Sequence, residues 1–344
     1  MMNTMEQRIQ ERAYALGYEK CGIVSVDDLE DYQERLNERI QKVPLSAKFY
    51  QSQKRFINLR QEYPWAKSVI VAAVPFGKYK IPGQLKGHIG KAYLCDMRTD
   101  TGSREYQNSL TMEDFLQEVG LKIASNRKFG LVALRWAAMK AGLGIIRKNN
   151  FFYTESGSWV HLEAWLTDRE MKLVEANNHR PCPKECNRCL KACPSGSLSS
   201  PYTMLPGSCI SFLTTFGGRN LPNESLRKTF GNWIYGCDEC QDACPMNKGK
   251  WNETDEFPGV EELSAHLTPE SIMEMDEAFY RQNIQPKFFY LTPEELWKWK
   301  VNVLCFMGNR YQEKYQPFII AACESENQKI REMAELIRSE RLTT

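Results

Sequence analysis

Apolar positions along the chain change their spacing from region to region. Met5, Ile9, Ala13 and Leu16 recur at helical intervals and Gly17 supplies a stop, which predicts a first helix. The run CGIVSV (21–26) reads as a short buried strand, and residues 27–60 as helix and loop with scattered aromatics. SVIVAAVPF (68–76) is the clearest strand, a β-branched run ended by Pro75 and Gly77. Residues 78–104 are rich in Gly and polar groups and predict an irregular loop of the kind active sites use. A helix is expected from Thr111, with Phe115, Leu116, Val119 and Ile123 on one face. Another is expected over 131–141, with AGLG as its stop. FFY (151–153) and SWVHLEAWLT (158–167) read as strands, completing an α/β layer with its own core. Residues 180–250 differ in kind. They are rich in Cys, Pro and Gly and are expected to depend on cross-links more than on apolar burial. Helical pattern returns over 255–344, and 303–340 reads as a helical hairpin or a short repeat.

Length and composition narrow the picture. A chain of 344 residues suits two domains or one large one. With 42% hydrophobic and 26% charged residues it reads as folded, not disordered. The net charge of +2 gives no strong overall pull on nucleic acid or anionic membrane. No apolar run reaches the roughly 18 residues of a membrane span. The N-terminal stretch lacks the apolar core of a secretory signal and a twin-arginine pair, so a cytoplasmic location is expected.

Twelve cysteines are the unusual feature, and eight of them lie between positions 182 and 244. In a reducing cytosol such a cluster points to metal in preference to disulfides. The first group is Cys182, Cys186, Cys189 and Cys193 followed by Pro194; the second is Cys237, Cys240 and Cys244 followed by Pro245, with Cys209 between the groups. Bacterial two-cluster ferredoxins use Cys-x-x-Cys-x-x-Cys-x-x-x-Cys-Pro, and the fourth cysteine serves the other cube. That crossing assigns Cys182, Cys186, Cys189 and Cys244 to one 4Fe–4S cluster, and Cys193, Cys209, Cys237 and Cys240 to a second. One departure is visible: three residues, not two, separate Cys182 from Cys186, which makes Cys182 the weakest assignment. Zinc is the minority alternative, because an isolated Cys-x-x-Cys pair favours it. Cys21, Cys95, Cys305 and Cys323 read as core or loop residues, Cys95 being notable for its polar surroundings. Paired clusters imply one-electron transfer, and the long α/β segment before them is where a cofactor or substrate should sit.

GSCISFLTTFGG (207–218) and FGNWIYGCDECQDACPMNK (230–248) resemble the epoxyqueuosine reductase family, which is related to the reductive dehalogenases. YPWAKSVIVAAVPF (63–76) and AGLGIIRKNNFFYTESGSWVHLEAWLT (141–167) extend the likeness, which covers roughly residues 5 to 320. The resemblance implies fold class α+β: an α/β cobalamin-binding domain with a nitroreductase-like core (1–178), a ferredoxin-like domain for two 4Fe–4S clusters (179–250), and a C-terminal helical region with about one HEAT-like repeat (251–344). It implies base-off cobalamin reduced to Co(I) by the second cluster. It also implies an epoxide substrate on a modified base in a tRNA anticodon loop, and an external electron donor of ferredoxin or flavodoxin type. A lone repeat usually caps a domain, and its lysines and arginines are balanced by glutamates, so tRNA binding gains little from it.

The resemblance assigns cofactor binding to Arg55, Tyr93, Lys148, Asn149, Ser158, Ser211 and Asp238. At the family's proton-donating aspartate, thirteen residues before AGLG, this chain has Lys128; the arginine seven residues on is kept as Arg135. Epoxide opening needs a general acid near the substrate. Lys128 can serve as one if its pKa falls, can hold an anionic substrate, or can be a solvated residue at a helix start. The family's Arg-Asp-Tyr-His loop has only residues 93–98 and 104–106 as counterparts, and Arg147 stands where the family has glycine. His161 reads first as a core residue, with cobalt ligand and proton donor as alternatives. The main reading is a cobalamin-dependent iron–sulfur oxidoreductase with an altered substrate. A corrinoid-reducing electron-transfer protein and a cytoplasmic reductive dehalogenase are the alternatives.

Overall fold

A computed structural model describes residues 3–341. Its first layer is a four-stranded antiparallel sheet in the order β1 (Lys20–Ser25), β2 (Ser68–Pro75), β6 (Val160–Thr167), β3 (Ile123–Ala124). The central strand β2 places Ile23 opposite Ile70 on one side and Trp165 opposite Ile70 on the other. Its residues from Val69 to Pro75 are all apolar because both faces of the sheet are covered. Val69, Val71 and Ala73 pack on the helix Leu134–Lys140 through Trp136, Ala137 and Ala138. Ile70, Ala72 and Val74 pack on the helices Met5–Ala15 and Arg104–Glu118 through Ile9, Ala13, Met112 and Leu116. A small hairpin, β4 (Ile145–Ile146) with β5 (Phe152–Tyr153), projects from this layer toward the cysteines. The fold is α+β, as the resemblance implied.

Three local expectations are corrected. The helix expected from Thr111 begins seven residues earlier, where the Ser103 hydroxyl accepts the Tyr106 amide as an N-cap. Ile123 is not on that helix: Gly120 takes a left-handed turn (φ +82°), the chain leaves the helix, and Ile123 joins β3. Residues 78–104 are not mainly an active-site loop. Tyr79, Ile81, Leu85, Ile89 and Leu94 are buried in the apolar cluster that also holds the C-terminal helices, because their spacing hides anchors among the glycines.

The cysteine region divides in two. Within 182–196 only Cys189 among the apolar residues is buried, which fits a segment held by cross-links. Residues 210–235 differ: Ile210, Phe230, Trp233, Ile234 and Tyr235 enter the same large apolar cluster as Leu304, Met307 and Ile337. The C-terminal region is helical, with Leu296–Asn309, Gln316–Ala322 and Gln328–Arg341 packed together. Among the described residues no helix is long and apolar enough to cross a membrane.

Candidate cluster cradle and cationic cavity

The cysteines sort into two sets. Cys182, Cys186, Cys189 and Cys244 line one small gap, together with Arg147, Lys148 and Pro245. The charges of Cys182, Cys186 and Cys244 all bear on the Cys189 thiol, which burial pushes up to about 11. Cys193, Cys209 and Cys237 bear in the same way on Cys240, whose pKa burial raises. The division follows the crossed pattern and not the order of the chain: Cys244 leaves its neighbours for the first set, and Cys193 leaves its own for the second. Thiols held this far toward the protonated form must release protons when they bind iron.

The extra residue between Cys182 and Cys186 has a visible use. The Lys148 ammonium donates to the carbonyls of Pro183, Lys184 and Cys186, each at 2.8 Å. A loop one residue longer can turn three carbonyls onto one cation. Asn149 does the same for the other group, donating to the Cys240 carbonyl at 3.0 Å and to the Tyr153 hydroxyl at 2.8 Å. Ser158 donates to Gln241 at 2.8 Å and accepts from Asn247, which in turn holds the Gln241 carbonyl. Asp238 accepts the Lys91 amide at 2.9 Å; burial raises its carboxyl to about 6, against the opposing pull of Lys91. Lys148, Asn149, Ser158 and Asp238 therefore brace the cysteine loops, and none of them lines the large cavity described next.

That cavity, about 980 Å³, lies between the helix Tyr32–Lys42, the segment 128–136 and the C-terminal residues Phe289 and Tyr290. Its size is at the upper end of the roughly 300–1,000 Å³ of ligand sites. Arg55, Lys128 and Arg135 of the expected site residues line it. Seven cationic side chains line the cavity against one carboxylate, Glu38. Glu38 pairs with Arg35 at 3.3 Å and Lys42 at 2.5 Å. Among the described residues Arg39, Arg55, Lys128 and Arg135 have no carboxylate partner. Arg135 faces the cavity and donates to the Asn150 carbonyl, while Arg39 donates to the Asn150 side chain at 3.3 Å. Together they hold Asn150 in a left-handed conformation (φ +65°). Enclosure by the walls and the nearby Arg39 push the Arg135 pKa down.

Lys128 sits on the rim with its ammonium 5.2 Å from the Phe289 ring. Its loop is fastened by Arg98, which donates to the Lys128 carbonyl and to the Tyr290 hydroxyl, each at 3.1 Å. Arg98 in turn makes a two-pronged pair with the buried Asp96 at 2.6 and 2.8 Å. Burial would raise the Asp96 carboxyl, but Arg98 outweighs it and holds it below the usual carboxylate range. Of the two stretches expected to stand for the family loop, 93–98 thus reaches the cavity. Glu105 instead pairs with Lys78 at 3.0 Å.

Tyr93 and Ser211 share a hydrogen bond of 2.9 Å, and the Tyr93 ring meets Tyr290 edge-on at 5.9 Å, so both lie behind the cavity wall. His161 stacks on Phe76 at 4.4 Å with Nε2 3.1 Å from the Cys95 carbonyl, away from the cavity. Cys95 is fully buried and its thiol is pushed up to about 12, the behaviour of an inert core cysteine. The residues that reasoning from sequence missed are Arg35, Arg39 and Lys42, with the wall aromatics Phe49, Phe289 and Tyr290. A signal existed: Tyr32, Arg35, Arg39 and Lys42 recur at helical spacing and mark one face of a helix.

Comparison with known proteins bears on the fold and on the cysteine segment. Residues 182–247 match the sequence model of a 4Fe–4S double cluster binding domain. An epoxyqueuosine reductase of Gloeobacter violaceus is 30% identical over 263 residues, covering 73% of this chain and 80% of that protein. The Bacillus subtilis epoxyqueuosine reductase is 30% identical over 255 residues, and the chain spans 64% of its length. A crystal structure of an epoxyqueuosine reductase with an epoxyqueuosine-modified tRNA-Tyr stem loop superposes with a TM-score of 0.76 at 22% identity, over 97% of this chain and 89% of that one. The shared fold, the double-cluster segment and the Gloeobacter likeness converge, and the chain belongs to the epoxyqueuosine reductase family.

Proposed function

We propose that the protein is a cobalamin-dependent reductase in which two 4Fe–4S clusters deliver single electrons toward a substrate held in the cationic cavity. The observation that carries this reading is the closeness of the second cysteine set to that cavity. Cys209 opens the helix Ile210–Thr214, whose Phe212 ring meets Phe49 at 5.2 Å and Phe216 at 4.8 Å. Phe49 and Phe216 both line the cavity, so the helix that Cys209 opens packs against the cavity wall.

The eight cysteines supply the all-thiolate ligand sets of two cubes. Base-off cobalamin is supported by the cavity's aromatic walls and by cations that could hold the single phosphate of its nucleotide tail. When bound, it supplies a cobalt centre that accepts single electrons and acts on an electrophilic carbon. The protein's own residues do the rest. Removing oxygen from an epoxide to leave an alkene consumes two electrons and two protons and releases water, so a proton source must stand at the oxygen. Lys128 is on the rim, where the resemblance puts the aspartate, and its ammonium can give a proton or hold an anionic group. Arg135 and Arg39 fix the floor through Asn150, and Arg98 keeps the Lys128 loop closed.

The cations also support a polyanionic substrate. A net charge of +2 conceals a local field, and phosphates respond to the local field. A tRNA stem loop, as bound by the crystallised relative, fits this chemistry. The lysine in place of aspartate favours a substrate whose reacting end differs from the relative's. The electron donor is a ferredoxin- or flavodoxin-type protein. Anaerobic purification from a cobalamin-supplied host tests the reading: about eight irons and one cobalt per chain are expected, with the matching visible and EPR spectra. Zinc without cobalt would overturn it.

A further inference from the structure

Arg147 is buried, with 4% of its surface exposed, and no carboxylate pairs with it among the described residues. Its Nη1 lies 3.7 Å from the Cys182 sulfur. Its Nε is buried with no hydrogen-bond partner. The side chain lines the gap enclosed by Cys182, Cys186, Cys189 and Cys244, and its guanidinium is braced 5.2 Å from the Tyr153 ring. A buried cation with no counter-charge and an unpartnered Nε is expensive, and its one side-chain acceptor, the Cys182 sulfur, would answer it better carrying negative charge. A 4Fe–4S cube with four thiolates supplies both. The second set has the opposite company: the charges of Asp238 and Glu239 bear on Cys237.

We propose that Arg147 hydrogen-bonds the first cluster and raises its reduction potential above that of the second, so that the first cluster is the one reduced first and holds the electron. One electron enters, no proton moves and no bond breaks; the cube gains one negative charge, and the guanidinium stabilises that charge. Hydrogen bonds to sulfur and net charge are the levers that set such potentials. The second cluster, beside the cavity, is left the stronger reductant. This rests on the cluster reading of the preceding section.

The test is an EPR-monitored redox titration of the anaerobically purified protein, with the signal lost in Cys186→Ala identifying the first cluster. Arg147→Gln is expected to lower the reduced-to-oxidised ratio of that cluster about tenfold at fixed ambient potential, a shift of about 59 mV for a one-electron couple. The second cluster should not move. Arg147→Lys keeps the charge but loses the planar pair of donors and should fall part of the way. An unchanged first-cluster potential in Arg147→Lys overturns the proposal, whether or not Arg147→Gln keeps its iron. Equal shifts of both clusters also overturn it. Iron-free wild-type protein would sink the cluster reading together with this proposal, whereas full iron with unmoved potentials would sink this proposal alone.

Discussion

The sheet layer and the loops around the first cysteine set are built by different means. In the layer, β2 buries side chains on both faces, and Trp165, Ile70 and Leu116 are almost wholly hidden. Around 182–196 almost nothing apolar is buried, and the backbone is pinned by one polar side chain, Lys148, on three carbonyls. The first region stands on area removed from water, about 25 cal/mol per Å². The second stands on a few charged hydrogen bonds and on whatever its thiols bind. A single chain can therefore lose order in one region while the other stays folded.

Iron removal should separate the two most sharply. After chelation, amides of 182–196 are expected to exchange at least roughly tenfold faster, while those of β2 keep their protection. Hydrogen exchange read by mass spectrometry checks this, and equal loss in both regions would erase the contrast.

A smaller effect should appear at the seam where Arg98 joins the Lys128 loop to Tyr290. Arg98→Leu leaves the buried Asp96 charge unpaired and is expected to cost about 3–5 kcal/mol of unfolding free energy. The pH dependence supplies a sign. In the wild type the folded pKa of Asp96 is depressed, so its contribution is present above the ordinary aspartate value of about 3.9 and is lost as pH falls through the lower folded value. In Arg98→Leu burial is opposed only by the backbone amide of residue 98 and by His161, and the folded pKa is expected to rise above the unfolded one. The Asp96 contribution should then become less unfavourable as pH falls from neutrality. Denaturant melts at several pH values decide it, and an unchanged slope would show that Asp96 keeps another counter-charge.

Lys128→Asp should do least to the fold. Lys128 is exposed on the rim, so stability should stay within about 0.5 kcal/mol, with iron and corrinoid content unchanged. Only turnover should move. Loss of corrinoid in this variant would make Lys128 a structural residue.

The same contrast explains what could be read from sequence. β2 was legible because a β-branched run covered on both faces has no polar interruptions. The cysteine sets were legible because the two Cys-Pro endings follow the crossed two-cluster pattern, in which the last cysteine of a run joins the other set; Cys209, outside both runs, has no spacing of its own to place it. The helix from Arg104 was misplaced because its first turns are polar and its start depends on the Ser103 cap, not on apolar period. Lys148, Asn149, Ser158 and Asp238 are expected from the resemblance to bind cofactor, whereas the hydrogen bonds they make in the structure brace the cysteine loops. The cavity was hardest to see, because its walls come from five separate stretches of chain. A pocket made of side chains from distant segments leaves no local pattern, apart from the cationic face of the helix Tyr32–Lys42.

Cys209 stands alone in sequence between the two cysteine groups, and its role depends entirely on the crossed assignment. Iron analysis of anaerobically purified Cys209→Ala, with EPR of the reduced protein, tests that assignment directly. The iron content should fall from about eight to about four per chain, with one cluster signal surviving. A content still near eight would contradict the account.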